Sequence, residues 1–348
     1  VACLVGSEMC IRDRNIITMA HGSGGRATSD LINSTVIKHF GVQNPESLQD
    51  YAKINFNHNV NLAFTTDSFV VNPIFFPGGN IGTLAVNGTI NDLSVGGSCP
   101  LYLSCAFIIE EGLEINEFEQ IVLSMSKAAK DADTQIITGD IKVVEKGAAD
   151  KIFINTSGIG LIHNNVNINS SHARIGDDIL VSGYIGDHGA AIIDARDNLK
   201  INVPVISDCK PVNKLVKKMV DVCPDIHCLR DATRGGIATV INEIAQDSKI
   251  CIELEESLIP IRETVKGVCE LIGYDPLYLA NEGTIVAAIP EEFTEIVLKE
   301  MKKDPAGLDS CIIGKVTNKY PGNVFVRSTF GSERIIDIMY GDQLPRIC

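Results

Sequence analysis

Short strand-like apolar runs alternate with longer helical periods along this chain, and that alternation places it in the α/β class. The strand-like runs fall at 62–65, 102–109, 135–138 and 151–162, then at 178–182, 250–254, 284–289 and 310–316. Helical periods occupy 29–40, 81–95, 116–131 and 213–222, followed by 235–247, 261–272 and 291–302. A polar stretch rich in Asn and Ser, 164–176, separates two comparable halves. The pattern predicts one domain over 15–165, a second over 166–336 and a mobile tail over 337–348. With 348 residues, each half is long enough to bury its own core. Residues 1–14 carry no apolar period and read as an extension alien to the first domain, so Cys3 and Cys10 take no role.

A net charge of -14 argues against a nucleic-acid backbone or an anionic membrane as partner. No apolar run approaches a membrane span, and no secretory signal is visible. The eleven cysteines show no paired CxxC spacing, which predicts reduced thiols in a cytoplasmic protein. Cys223, His227 and Cys228 form one loosely spaced group without a second half, too little to predict zinc.

The chain ends Gly341-Asp342-Gln343-Leu344-Pro345-Arg346-Ile347-Cys348. Cysteine is ordinarily buried, so packing explains a terminal cysteine poorly. Pro345 stiffens the segment and removes a backbone donor. Eleven links from Asp337 to Cys348 reach roughly 36 Å when extended. An exposed thiol on such a tether suits a swinging carrier; a frayed end that happens to finish on cysteine is the alternative, and the tail alone does not choose between them.

Chemistry-bearing residues cluster in the first half. Gly22, Ser23, Gly24, Gly25 and Arg26 precede the helical period at 29–40, where small residues let backbone N–H groups approach an anion. The run matches neither the P-loop nor the dinucleotide fingerprint, so a flexible loop is the simpler reading of it in isolation. Asp67 closes an apolar run, Asn91 and Asp92 interrupt an apolar helix, and Asp140 follows a strand-like run in Thr138-Gly139-Asp140. Each alone reads as a cap or turn residue; together, around phosphate, they would suit magnesium.

His21 to Arg26, Thr66 to Phe69, Asn87 to Asp92, Gly139 to Val144 and Gly186 to Ala190 resemble the signatures of the HypE hydrogenase-maturation family. So do Arg230 to Gly236, Asn281-Glu282-Gly283 and the closing Pro345-Arg346-Ile347-Cys348, in family order. The family belongs to the aminoimidazole ribonucleotide synthetase-like ATP-binding superfamily. The resemblance implies two α/β domains of mixed sheets flanked by helices, a homodimer built on the first sheet, and ATP with magnesium near the dimer interface.

It also implies a chemistry for the tail. A carbamoyltransferase, HypF, would carbamoylate Cys348. The chain would then dehydrate the S-carboxamide to a thiocyanate with ATP, and a HypC–HypD complex would accept the cyanide for [NiFe]-hydrogenase iron. By the same resemblance Asp67, Asp92 and Asp140 would serve magnesium and nucleotide, with Asn91 and Asp231 as weaker candidates. Gly22 to Gly25 and Arg26 would cover the nucleotide, beside Thr138 and Gly139. Lys142 would neutralise phosphate or orient the carboxamide, and Glu282 would serve as base or simply as a turn carboxylate. His188 would seat the tail or be structural. The alternatives are a ligase like aminoimidazole ribonucleotide synthetase, an enzyme like selenophosphate synthetase, and a non-catalytic scaffold presenting Cys348. Ser23 and Gly24 stand where selenophosphate synthetase carries a reactive Cys or Sec, which weighs against that relative.

Overall fold

The computed structural model describes residues 25–31, 52–56, 60–197, 204–339, 344 and 346–348. Gly22, Ser23, Gly24 and most of the helix expected over 29–40 lie outside the described residues. After a short helix α1 (Arg26–Leu31), the first half builds a sheet from β1 (Ala52–Phe56), β2 (Val60–Phe69), β5 (Ser98–Glu110), β6 (Gln135–Val144) and β7 (Ile152–Ile162). Its order is β1-β2-β7-β5-β6, with β3 (Phe75–Phe76) and β4 (Gly79–Asn80) pairing separately. All neighbours are antiparallel except β5 and β6, which run parallel because α3 (Ile115–Asp131) supplies the crossover.

Helix α2 (Ile81–Val95) forms where its period predicts, capped by Asn80, whose side chain accepts from the Gly82 and Thr83 N–H groups. It is buried on nearly every side, as a helix between layers must be. The first sheet covers one side of it, and α3 and the second half cover the others.

The second half contains β8 (Asp178–Val181), α4 (Asp187–Asp197), α5 (Asn213–Val222), β9 (Cys228–Asp231), α6 (Gly236–Ser248) and β10 (Cys251–Glu255). It continues with α7 (Glu263–Ile272), β11 (Ile285–Ile289), α8 (Glu291–Met301), β12 (Cys311–Thr317), β13 (Val324–Arg327) and β14 (Glu333–Ile336). These strands form a sheet of order β14-β13-β10-β12-β8-β11-β9, parallel only at β10 and β13. Both sheets are therefore mixed, as expected. Among the described residues no helix is long and apolar enough to cross a membrane.

The structure corrects the local reading in two places. β9, β13 and β14 are not marked by the apolar pattern, and α4 carries no apolar stripe because Ala190, Ala191 and Ile192 are all fully buried. The run at 135–138 continues to Val144, so Gly139 and Asp140 lie inside β6 and not after a strand. Gly139 is there for close approach: a Cβ on it would stand 2.1 Å from the Cys105 carbonyl oxygen.

Strand alternation then separates the acids. Ala63, Thr65 and Phe69 are buried under α2, while Phe64, Thr66 and Ser68 lie on the outward face. Register sets Gly139 opposite buried Cys105 and Asp140 opposite Ala106, so Asp140 and Lys142 belong to the outward face. Phe64, Tyr102, Ile108, Ile159 and Leu161 are exposed on that same face.

The α2–α3 contact tolerates no side chain at Gly82, where a Cβ would meet the Ile121 carbonyl oxygen at 2.6 Å. Gly82→Ala should cost about 1–3 kcal/mol through overpacking. Gly267→Ala, inside α7 with nothing within 4 Å of the added Cβ, should instead gain about 0.5–1 kcal/mol. Urea unfolding of both variants checks this; equal midpoints would contradict the packing described.

Candidate active site at the junction of the two halves

Asn91 crosses from α2 into the second half. Its amide donates to the carbonyls of Lys210 at 3.1 Å and Glu282 at 3.2 Å, and its oxygen accepts from Val212 N–H at 2.9 Å. With its amide engaged on the backbone, Asn91 acts on Glu282's placement. From the other side Asp208 accepts from the Glu282 N–H (2.9 Å), the Gly283 N–H (3.0 Å) and the Thr284 hydroxyl (3.0 Å). Glu282 is thus held by its main chain.

The Glu282 side chain lies against α2, with Oε2 4.0 Å from where a Cβ on Gly88 would stand. Glu282 is 2% exposed, and its Oε1 has no hydrogen-bond partner among the described residues. Burial above all, then the charges of Asp208, Asp231 and Asp67, pushes its carboxyl well above the usual carboxylate range against the opposing pull of Arg234. A carboxyl so placed holds its proton to higher pH than an exposed carboxylate does.

The chain terminus is docked in this junction. Val70 N–H donates to the Cys348 carbonyl at 3.1 Å and Asn72 N–H to the Arg346 carbonyl at 3.2 Å. Ile347 is 4% exposed, within the core that includes Phe69, Val71, Ile74 and Ile192. His188 donates from Nε2 to the Ile347 carbonyl at 2.7 Å, while its Nδ1 meets the Ser207 hydroxyl at 2.8 Å. Burial lowers the His188 pKa, which favours this neutral form. Arg346 donates from Nε to the Val70 carbonyl at 3.0 Å and pairs with Asp150.

The exposed terminal thiol expected from the sequence is therefore corrected for this conformation: Cys348 is half-buried and seated. Burial pushes its thiol up to about 12; Arg234 pulls it down, while Glu282, Asp67 and Asp231 add to the rise. Burial pushes the Cys105 and Cys228 thiols to about 12 as well. The nine described cysteines all carry free thiols.

Arg234 lies in the turn before α6, where Gly235 and Gly236 take φ of 75° and 60°. Though accessible to solvent, it lies beside Cys348, Asp67, Glu282 and Asp92, a setting that holds it firmly protonated. Asp67 accepts from the Ser68 N–H at 2.7 Å, and Asp92 from the Thr65 hydroxyl at 2.9 Å. Asp231 is buried at the end of β9. These acids, Glu282 and Cys348 come together.

Asp140 and Lys142 do not join them. They pair with each other, both exposed, on the outward face, and β7 and β5 intervene between β6 and β2. Three strand spacings put β6 and β2 about 14 Å apart. Exposed Thr138 shares that location. Gly25 is buried and Arg26 exposed at the start of α1. Among the described residues no three His, Cys, Asp or Glu side chains converge as a preformed metal cage. His227 is occupied by Asp177 at 2.7 Å, and the Cys228 thiol by the Asn169 carbonyl at 3.0 Å.

Sequence reasoning passed over Arg234 and Asp208. Arg234 carried a signal, the Gly-Gly pair that follows it in a segment where only Asp231 was weighed. Asp208 sits in a run without helix or strand, and nothing local marks it.

The model of the AIR synthase related protein, N-terminal domain, matches residues 48–162, and that of the C-terminal domain matches 174–327. Carbamoyl dehydratase HypE of Rhodobacter capsulatus is 43% identical over 344 residues, covering 98% of this chain and 100% of the relative. A crystal structure of a HypE–HypF complex superposes with TM-score 0.84 at 43% identity, over 89% of this chain and 99% of that one. HypE in complex with ATP superposes with TM-score 0.81 at 45% identity, over 96% of this chain and 100% of that one. Such identity across nearly the whole of both chains, on a matching two-domain fold, means that the chain belongs to the HypE family of carbamoyl dehydratases.

Proposed function

We propose that this chain dehydrates an S-carboxamide carried on its own Cys348 to a thiocyanate, consuming ATP, and so supplies cyanide for [NiFe]-hydrogenase iron. The carrying observation is the docked Cys348 among Glu282, Arg234 and the acids, with Glu282 Oε1 unpartnered. The carboxamide oxygen attacks the γ-phosphorus, the γ-phosphorus–oxygen bond breaks and ADP leaves. Glu282 takes a proton from the nitrogen of the O-phosphorylated imidate. The C–O bond then breaks, phosphate departs with the oxygen, the second nitrogen proton is lost and C≡N remains. Its raised pKa makes Glu282 a stronger base once ionised, and Arg234 offsets the phosphate charge.

Magnesium needs only one or two carboxylates when phosphate oxygens and waters complete its shell, so the open set of Asp67, Asp92 and Asp231 fits it without a closed cage. When bound it would neutralise phosphate charge. A second copy laid on the outward face of the first sheet would cover its exposed apolar residues. That homodimer would give Asp140, Lys142, Thr138 and Gly139 a nucleotide to act on across the interface. The docked thiol is protonated at neutral pH, so carbamoylation by HypF takes place with the tail released. Transfer to HypC–HypD follows the same route.

Four outcomes are expected. Glu282→Gln should bind ATP but slow dehydration by about 100-fold or more. Because the base must be ionised, wild-type turnover should fall as pH drops through an acid limb lying above the usual carboxylate range. Mass spectrometry of the C-terminal peptide over time reads both; full activity in the Gln variant would remove Glu282 from the mechanism. Cys348→Ala should fold, bind ATP and acquire neither modification, while Cys311→Ala is modified normally. A cyano mass on the Cys348→Ala protein would end the carrier reading. Asp92→Ala should weaken magnesium-ATP binding by tenfold or more, on the order of one charge-assisted contact, and unchanged calorimetric affinity would move the site elsewhere.

A further inference from the structure

The last three residues are held as a peptide ligand is held. All three carbonyls are matched: Arg346 by Asn72 N–H and by Arg196 Nη2 at 2.8 Å, Ile347 by His188, and Cys348 by Val70 N–H. The alternate main-chain bonds from Val70 and Asn72 extend the end of β2 in the manner of an added strand. The side chains are sorted as well. Arg346 goes to Asp150, Ile347 into the apolar core, and the Cys348 thiol to Arg234 and Glu282. None of these contacts uses the covalent link to the rest of the chain.

We propose that this pocket is a binding site for a C-terminal Arg-Ile-Cys peptide, and that it accepts such a peptide from a separate molecule, with Asp150 and His188 as the residues that position it. The inference rests on Cys348 being the carrier. Apart from Leu344, which packs against the core, the tether then contributes concentration, and an intramolecular link is worth an effective concentration in the millimolar range. A partner copy's tail, or a free peptide, carries everything the pocket reads.

The test uses the full chain with both Ile347→Asp and Cys348→Ala, which places a charge where the core receives Ile347 and removes the native carrier. A synthetic peptide, Gly-Asp-Gln-Leu-Pro-Arg-Ile-Cys with an S-carboxamide, is added with ATP and magnesium, and loss of one water is followed by mass spectrometry. Saturable conversion is expected at roughly millimolar peptide. Replacing the peptide's arginine with alanine should raise KM by roughly tenfold at unchanged kcat. Asp150→Ala in the protein should do the same, and the two changes together should do no more than either alone. His188→Gln, which keeps a donor for the Ile347 carbonyl, should retain most of the affinity that His188→Leu loses. Cys348→Ala alone should give the same product with a higher KM, because its own tail competes, so the result does not hang on one variant folding.

No conversion at about 10 mM peptide, a range well above the tether's effective concentration, would overturn the proposal if carbamoylated wild-type protein converts its own tail in the same assay. Equal conversion of a peptide with aspartate in place of the isoleucine would also overturn it. If wild-type protein fails on its own tail, the dehydration reading falls instead. Fluorescence anisotropy of a labelled tail peptide then decides the pocket by itself: binding sensitive to Asp150→Ala sustains it, and no binding ends it.

Discussion

Asn91 is the tie on which the rest of the junction depends. Its buried amide meets three backbone groups of the second half, and removing it would leave the Lys210 carbonyl and the Val212 N–H without that partner, the Glu282 carbonyl keeping the Lys210 N–H at 3.4 Å. Each such group costs about 1–3 kcal/mol, so the tie is far stronger in its absence than its net bond energies suggest. The same bonds fix the main chain of Glu282, which Asp208 grips from the opposite side. A polar residue in the middle of the apolar helix α2 is therefore what joins the halves and aims the carboxyl.

The junction gathers Asp67, Asp92, Asp231, Asp208 and Glu282 around one arginine, with Glu282 almost wholly buried. Burial and charge crowding of this kind raise the proton affinity of Glu282 and of the Cys348 thiol alike. The burial that disfavours a thiolate has no such effect on a neutral S-carboxamide. The same pocket that makes Cys348 a poor nucleophile suits it as the bearer of a substrate, which divides carbamoylation from dehydration by the position of the tail.

Much of the architecture was legible. The break at 164–176, helix α2 and most of the longer strands follow from period and composition, because elements of that length bury one face or all of themselves in a recognisable rhythm. β9, β13 and β14 carry no marked apolar run, and a helix buried on several sides leaves no rhythm, so these and α4 were not legible. Gly139 looked like a turn because a glycine that permits close approach of two strands and one that permits a turn are the same letter.

The site divides in the same way. The sequence by itself determined which residue types were available: the run of acids, Glu282 beside a glycine, the arginine ahead of Gly235 and Gly236, and a terminal cysteine in a family-like motif. Only the tertiary structure decided which of them meet. A one-residue difference in parity on a strand sends Asp140 to the outward face while Asp67 lies two intervening strands away, and nothing in the local sequence reports that register. Folding also took the terminal thiol from solvent into a pocket. The bonds that hold it come from Val70, Asn72, Asp150 and His188, which lie 159 or more positions from the residues they grip, and proximity of that kind exists only once the chain is folded.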